Sequence, residues 1–164
     1  MKRPQRLLTM RLSAMGDVAM TVPVLLAVRR MYPEVEMITL SRKRFFPILQ
    51  QIPDITLIEA DVNKRHKGIF GLRRLAMQIE KYHPDAIADL HNVLRTKSLR
   101  TFLRRISSAK IDKGRKEKKQ LVKDASFFHQ LKPTVQRYAD VFEQLGLPVV
   151  LNPTDVLPRL PIPE

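Results

Sequence analysis

Apolar positions along the chain cluster into short runs separated by longer stretches of helical spacing. RLLTMRL (6–12), VEMITL (35–40), DITLIEA (54–60), DAIADLH (85–91) and SAKIDKG (108–114) are each short enough to be strands. Between them, DVAMTVPVLLAVRRMYP (17–33) repeats apolar residues at Val18, Val22, Leu25 and Leu26 and predicts one helix. Pro23 near its first turn is tolerated because that N–H has no intrahelical partner. RFFPILQQIP (44–53) predicts a short helix with an irregular start at Pro47. LRRLAMQIEKYHP (72–84) places Leu72, Leu75, Ala76 and Ile79 on one face. LRTKSLRTFLRRI (94–106) and TVQRYADVFEQLGLP (134–148) complete the helices, the last with Gly146 at its C-cap. The polar, basic segment DVNKRHKGIFG (61–71) reads as a mobile loop, and KIDKGRKEKK (110–119) as a solvated loop.

Strands alternating with helices predict βαβ units, hence an α/β fold with a Rossmann-like parallel sheet flanked by helices. Function in such a sheet sits at the C-terminal ends of the strands. Those ends carry Ser13, Gly16 and Asp17 after the first strand and Arg42 after the second. Lys64 and Arg65 follow the third, and His91, Asn92, Arg95 and Lys97 follow the fourth. Residues 1–147 form the predicted domain. The remainder, 148–164, has prolines at 148, 153, 158, 161 and 163, which block regular helix and central strand. It reads as a linker, or else as an extension packed on its own domain.

Composition narrows the partners. The 164 residues carry a formal net charge of +14 and no cysteine, which leaves out disulfides and thiolate zinc sites. The excess of positive charge suits a polyanion: nucleic acid, an anionic membrane surface, a phosphorylated substrate or an acidic partner domain. The first residues are too interrupted for a signal peptide, and no run approaches the roughly 20 apolar residues of a spanning helix. The basic run 110–119 is a candidate contact for acidic lipid headgroups.

Several chemistries lack their residues. A dinucleotide site needs a glycine-rich turn and an acid closing the second strand, whereas here Gly16 stands alone and the strand runs into SRKR. The histidines, at 66, 83, 91 and 129, are scattered, and no metal site is expected. Asp17 has two readings. Near a helix N-terminus it is a favourable capping acid; facing the cleft it is a general base for an attacking hydroxyl. Arg95 and Lys97 are either solvated charges in a helix cap or ligands for a phosphate or sugar carboxylate.

LLTMRLSAMGDVAMTVPVLLAVRRMYPEVEMITLSR, with Arg11, Ser13, Gly16, Asp17, Thr21 and Pro23 in the order R-x-S-x-x-G-D…T-x-P, resembles the N-terminal region of glycosyltransferase family 9, the ADP-heptose:lipopolysaccharide heptosyltransferases. YPEVEMITL, IPDITLIEAD, DAIADLHNVLRTKSL and QRYADVFEQLGLP extend the match in order from residue 7 to about 150. The resemblance implies the N-terminal half of a GT-B glycosyltransferase. It implies an inverting transfer needing no metal or other cofactor, with Asp17 as general base. Ser13, Gly16, Arg42, Lys64, Arg65, His91, Asn92, Arg95 and Lys97 are then expected on the acceptor side. The acceptor implied is an anionic lipid-linked saccharide, the phosphorylated Kdo–lipid A inner core. The donor, ADP-heptose, is expected on a C-terminal domain absent from this sequence. The implied location is cytoplasmic, peripheral to the inner face of the membrane. A basic nucleic-acid-binding or partner-binding module without catalysis is the alternative, although the few aromatics and absent motifs argue against nucleic acid.

Overall fold

The structure, a computed structural model, describes residues 3–124, 126 and 129–157. Five strands form one parallel sheet: β1 (Arg6–Met10), β2 (Glu36–Ser41), β3 (Ile55–Glu59), β4 (Ala86–Asp89) and β5 (Ser107–Lys110). Their order is β3-β2-β1-β4-β5, with every neighbouring pair parallel. The predicted α/β Rossmann-like class is therefore what the chain adopts. Parallel strands are covered on both faces, which is why consecutive apolar residues of β1 and β4 are withdrawn from water: Leu7, Leu8, Ile87 and Ala88 are all fully buried.

The helices are α1 (Met15–Ala19), α2 (Val22–Met31), α3 (Phe46–Leu49), α4 (Gly68–Glu80), α5 (Leu94–Phe102), α6 (Arg115–Lys123) and α7 (Thr134–Glu143), with a 3₁₀ turn at Lys43–Phe45. One core lies under α1, α2 and α7, centred on Leu25, Val28, Tyr138 and Phe142. The other lies under α4 and α5, where Leu72, Leu75, Ile79, Leu99 and Leu103 meet the opposite sheet face.

Three local expectations are corrected. The helix expected over 17–33 is broken into α1 and α2. Pro23 has no N–H for the Ala19 carbonyl, and Thr21 Oγ1 donates back to Val18 O at 2.6 Å, closing α1. The expected mobile loop 61–71 is pinned. Buried His66 accepts the Asp61 N–H at Nδ1 (3.1 Å), and α4 begins at Gly68. Gly71 lies so close to His66 that a Cβ would fall 2.4 Å from its carbonyl carbon. The expected loop 110–119 holds the start of α6, whose Lys, Glu and Gln favour helix once Gly114 supplies a left-handed entry (φ 60°). At the other end, Gly146 (φ 80°) closes α7 as expected, with Leu147 N–H on Phe142 O at 3.0 Å.

Of the proline-rich segment, residues 148–157 run against α2. Arg30 holds buried Asp155 through both carboxylate oxygens (2.9 and 3.0 Å), and Tyr32 Oη donates to Pro148 O. Residues 158–164, with Pro158, Pro161 and Pro163, lie outside the described residues.

The turn after β4 rests on Asp89, which is fully buried. Its Oδ1 accepts the N–H groups of His91 (3.1 Å) and Asn92 (2.8 Å), and its Oδ2 pairs with Arg100 Nε at 3.0 Å. Asp89→Ala strands the Arg100 guanidinium and two N–H groups, and is expected to cost about 3 kcal/mol. Urea unfolding measures this; a loss under about 1 kcal/mol contradicts the assignment.

Candidate active site

Strand order reverses direction between β1 and β4, so the chain leaves these two neighbours to opposite sides and opens a crevice at their C-terminal ends. Arg11, the first residue after β1, lies in that crevice and is only 7% exposed. Its Nη1 donates to Leu90 O at 2.6 Å, its Nη2 pairs with the Asp17 carboxylate, and its guanidinium lies over the Tyr138 ring at 5.8 Å. Tyr138 Oη reaches the Asp17 carbonyl at 3.4 Å. The fold thus places one buried cation between β4, α1 and α7, and that cation orients Asp17.

Asp17 stands in the first turn of α1, where its Oδ2 also accepts the Ala14 N–H at 3.3 Å. The acid ties the helix start, as the capping reading expects, and it also borders a cavity. Both contacts fall on Oδ2, and Oδ1 has no partner among the described residues. The side chain is 38% exposed. The cavity it borders, about 340 Å³, is lined by Arg11, Lys113, Lys118, Lys132, Arg137 and Tyr138 among others. Arg137 is already engaged by Glu117 at 2.6 Å. Burial pushes the Tyr138 phenol up to about 12, so it stays protonated. Burial, with Arg11 and Arg115 nearby, lowers the Lys113 ammonium.

Across the crevice, Ser13 Oγ and His91 Nε2 are 3.3 Å apart. Burial, then the charges of Arg11 and Lys113, lower His91 to about 4, so the ring is neutral near pH 7. Its Nδ1 is buried without a hydrogen-bond partner among the described residues, as are Arg11 Nε and Asn92 Oδ1. Asn92 holds a left-handed turn (φ 45°) and donates Nδ2–H to Ile111 O at 3.1 Å. A larger cleft of about 770 Å³ runs beside it, between Lys97 on α5 and Lys110–Glu117.

The expected acceptor-side residues are thus only partly assembled. Ser13, His91 and Asn92 gather with Asp17 at the switch point, and Gly16 lies in open space on α1. Lys97 lines the larger cleft. Arg42 is lowered by burial and by its like-charged neighbours Arg44 and Arg95, which groups it with Arg95 beyond β2. Lys64 and Arg65 follow β3, the far edge of the sheet, and do not line the Asp17 cavity. Arg65 is engaged by Glu59 at 2.5 Å and by Asp61. Among the described residues, no group of three or more His, Asp or Glu could hold a metal ion.

Sequence reasoning did not single out Arg11, Lys113, Lys118, Lys132 or Tyr138 as site residues. Arg11 carries a signal, since an arginine closing an apolar strand run must be buried and partnered. The lysines carry none, because their approach to Asp17 is set by how β5, α6 and α7 fold back.

No family model matches the chain. It is 32% identical over 96 residues to the lipopolysaccharide core heptosyltransferase OpsX of Haemophilus influenzae, an alignment covering 58% of this chain and 27% of OpsX. A glycosyltransferase family 9 structure from Veillonella parvula superposes with a TM-score of 0.68 at 20% identity, over 90% of this chain and 45% of that one. The resemblance to glycosyltransferase family 9 holds in sequence and in fold. Two E. coli structures agree. Heptosyltransferase WaaC with ADP gives a TM-score of 0.63 at 18% identity, over 91% of this chain and 49% of that one. ADP-heptose lps heptosyltransferase II gives 0.59 at 15%, over 97% and 47%. The chain therefore spans about half the length of the solved structures it matches.

The low pKa of His91 has a consequence for stability. The unfolded ring titrates near 6.5 and the folded ring near 4, so the unfolded state binds more protons between those values. This contribution to stability is complete above pH 6.5 and is lost as pH falls toward 4. His91→Gln is expected to flatten that part of the stability–pH curve. An NMR titration of the His91 ring with a midpoint above 6 contradicts the assignment.

Proposed function

We propose that this chain is the acceptor-side half of a lipopolysaccharide heptosyltransferase, and that Asp17 is its general base. In the reaction, Asp17 Oδ1 takes the proton of an acceptor hydroxyl as that oxygen bonds to the anomeric carbon of the donor. The bond from that carbon to the diphosphate breaks on the opposite face, which inverts the centre. Arg11 fixes the carboxylate during the transfer. The observation that carries the reading is a carboxylate anchored through one oxygen by a buried arginine, with the other oxygen free at a cation-lined cavity.

The acceptor is an anionic lipid-linked saccharide of the Kdo–lipid A type, met at the cytoplasmic face of the membrane. Lys113 and Lys118 around the cavity, and Lys97 in the adjoining cleft, suit its phosphates and carboxylates. The donor, ADP-heptose, sits on the part of the relatives' length that this chain does not span. Absence of a helix long and apolar enough to cross a membrane, among the described residues, accords with peripheral contact.

Titration calorimetry with detergent-dispersed Kdo–lipid A is expected to show saturable binding by the 164-residue chain, weakening with salt. The same chain is expected to give no turnover of ADP-heptose, because the leaving diphosphate finds too little stabilisation here. Steep, salt-dependent binding to oligonucleotides with none to the glycolipid overturns the proposal. Where the domain is joined to a donor-binding half, Asp17→Asn is expected to lower kcat roughly a hundredfold to ten-thousandfold. A rate near that of the unaltered enzyme leaves Asp17 as a cap alone.

A further inference from the structure

We propose that the outward face of the α4–α5 layer is a docking surface for an anionic lipid bilayer. The inference deepens the reading above, and rests on it for the choice of a bilayer over other polyanions.

Helix α4 has two faces. Gly71, Leu72, Leu75, Ala76 and Ile79 are buried on the sheet. Phe70, Arg73, Arg74, Met77 and Lys81 follow the i, i+3, i+4, i+7, i+11 spacing of a second stripe, and all are exposed. Phe70 is 86% exposed and Met77 58%. Seven residues of helix separate them by about 10 Å along the axis, so both apolar groups and the cations between them can meet one plane. Helix α5, packed beside α4 on the same sheet face, adds Leu94, 80% exposed, and the exposed cation Arg95, while Lys97 on its other flank lines the larger cleft. Arg104 and Arg105 follow it, also exposed.

The charge of this layer is nearly all positive. Among the described residues, none of Arg73, Arg74, Arg95, Lys97, Arg104 and Arg105 has a salt bridge, and Glu80 is the one acid within α4 and α5. Elsewhere Arg30, Lys132 and Arg137 are paired with Asp155, Asp140 and Glu117. Helix α6 carries unpaired cations of its own but only Val122 as a large exposed apolar residue, among the described residues. It is the combination of cations with Phe70, Met77 and Leu94 that sets the α4–α5 layer apart. A large exposed phenylalanine, a methionine and a leucine set among unpaired arginines match an interface of acyl chains under anionic headgroups. A nucleic acid would use the cations and the Phe70 ring, as a stacking face, but would leave Met77 and Leu94 in water. The surface also adjoins the sheet edge that bears Asp17, because α4 and α5 both begin at the C-terminal ends of their preceding strands. Docking there would bring the cavity to a lipid-borne acceptor.

The test is co-sedimentation of the 164-residue chain with vesicles of phosphatidylglycerol and phosphatidylethanolamine, against vesicles of phosphatidylcholine alone. Neither contains a saccharide acceptor or donor, so the result is independent of whether the chain serves a transferase. Binding is expected only with the anionic vesicles, and to weaken with added salt. Arg73→Gln with Arg74→Gln is expected to lower partitioning roughly 25-fold, about fivefold for each cation. Phe70→Ser with Met77→Ser is expected to lower it at least about tenfold. All four positions are exposed, and circular dichroism checks that the fold is kept. A control on α6, Lys116→Gln with Lys119→Gln, is expected to change partitioning by less than about threefold. Equal binding to phosphatidylcholine, undiminished binding by the α4 variants, or loss of binding in the α6 control overturns the proposal.

Discussion

The site depends on the burial of one guanidinium. Arg11 follows directly on the central strand of the sheet and is nearly withdrawn from water, so its charge must be met from within the protein. The Leu90 carbonyl, the Asp17 carboxylate and the Tyr138 ring meet it from three separate elements. Each belongs to a different segment of chain, so the ion ties β4, α1 and α7 to the end of β1. Asp17 is then not a free surface acid. Its position is fixed at the crevice where a parallel sheet of this order opens.

Around that fixed acid the protein is strongly cationic, and the distribution matters more than the total. Some arginines are structural: Arg30 holds the segment after α7, Arg100 locks the Asp89 turn, and Arg137 clamps α6 through Glu117. Lys113 and Lys118 at the Asp17 cavity, and the arginines on the outer face of α4 and α5, have no salt bridge among the described residues. On the proposed reading the cavity suits an anionic group and the adjoining layer an anionic surface. The neutral His91 fits the same field, since a second buried cation beside Arg11 would be repelled.

Most of the fold was legible because it rests on local rules. Five apolar runs, helical spacing between them and Gly146 after α7 led to the parallel sheet. Failures came where a contact distant in sequence overrode local composition. KRHKGIFG looks like loop until His66 is buried and Gly71 lets α4 start beneath it. RKEKK looks solvated until Arg137 gives Glu117 a partner. At the candidate site, Asp17, Ser13 and His91 could be placed at the C-terminal end of the sheet because strand ends gather there in this fold class. That Arg11 holds Asp17 could not be read, since the pairing depends on the geometry of the turn between them. Arg65 shows the converse: its strand-end position is right, but Glu59 and Asp61 occupy it at the sheet's far edge.

A double-mutant cycle between Arg11→Met and Asp17→Asn, followed by urea unfolding, tests the central pairing directly. Because Asp17 is partly solvated, the coupling should lie well under that of a fully buried pair, at about 1 kcal/mol or somewhat more. The account predicts that coupling, with Arg11→Met the costlier single change because it leaves the Leu90 carbonyl unmet. Effects that add to within about 0.3 kcal/mol would show that the two residues are merely neighbours, and that Asp17 is not held where the chemistry needs it.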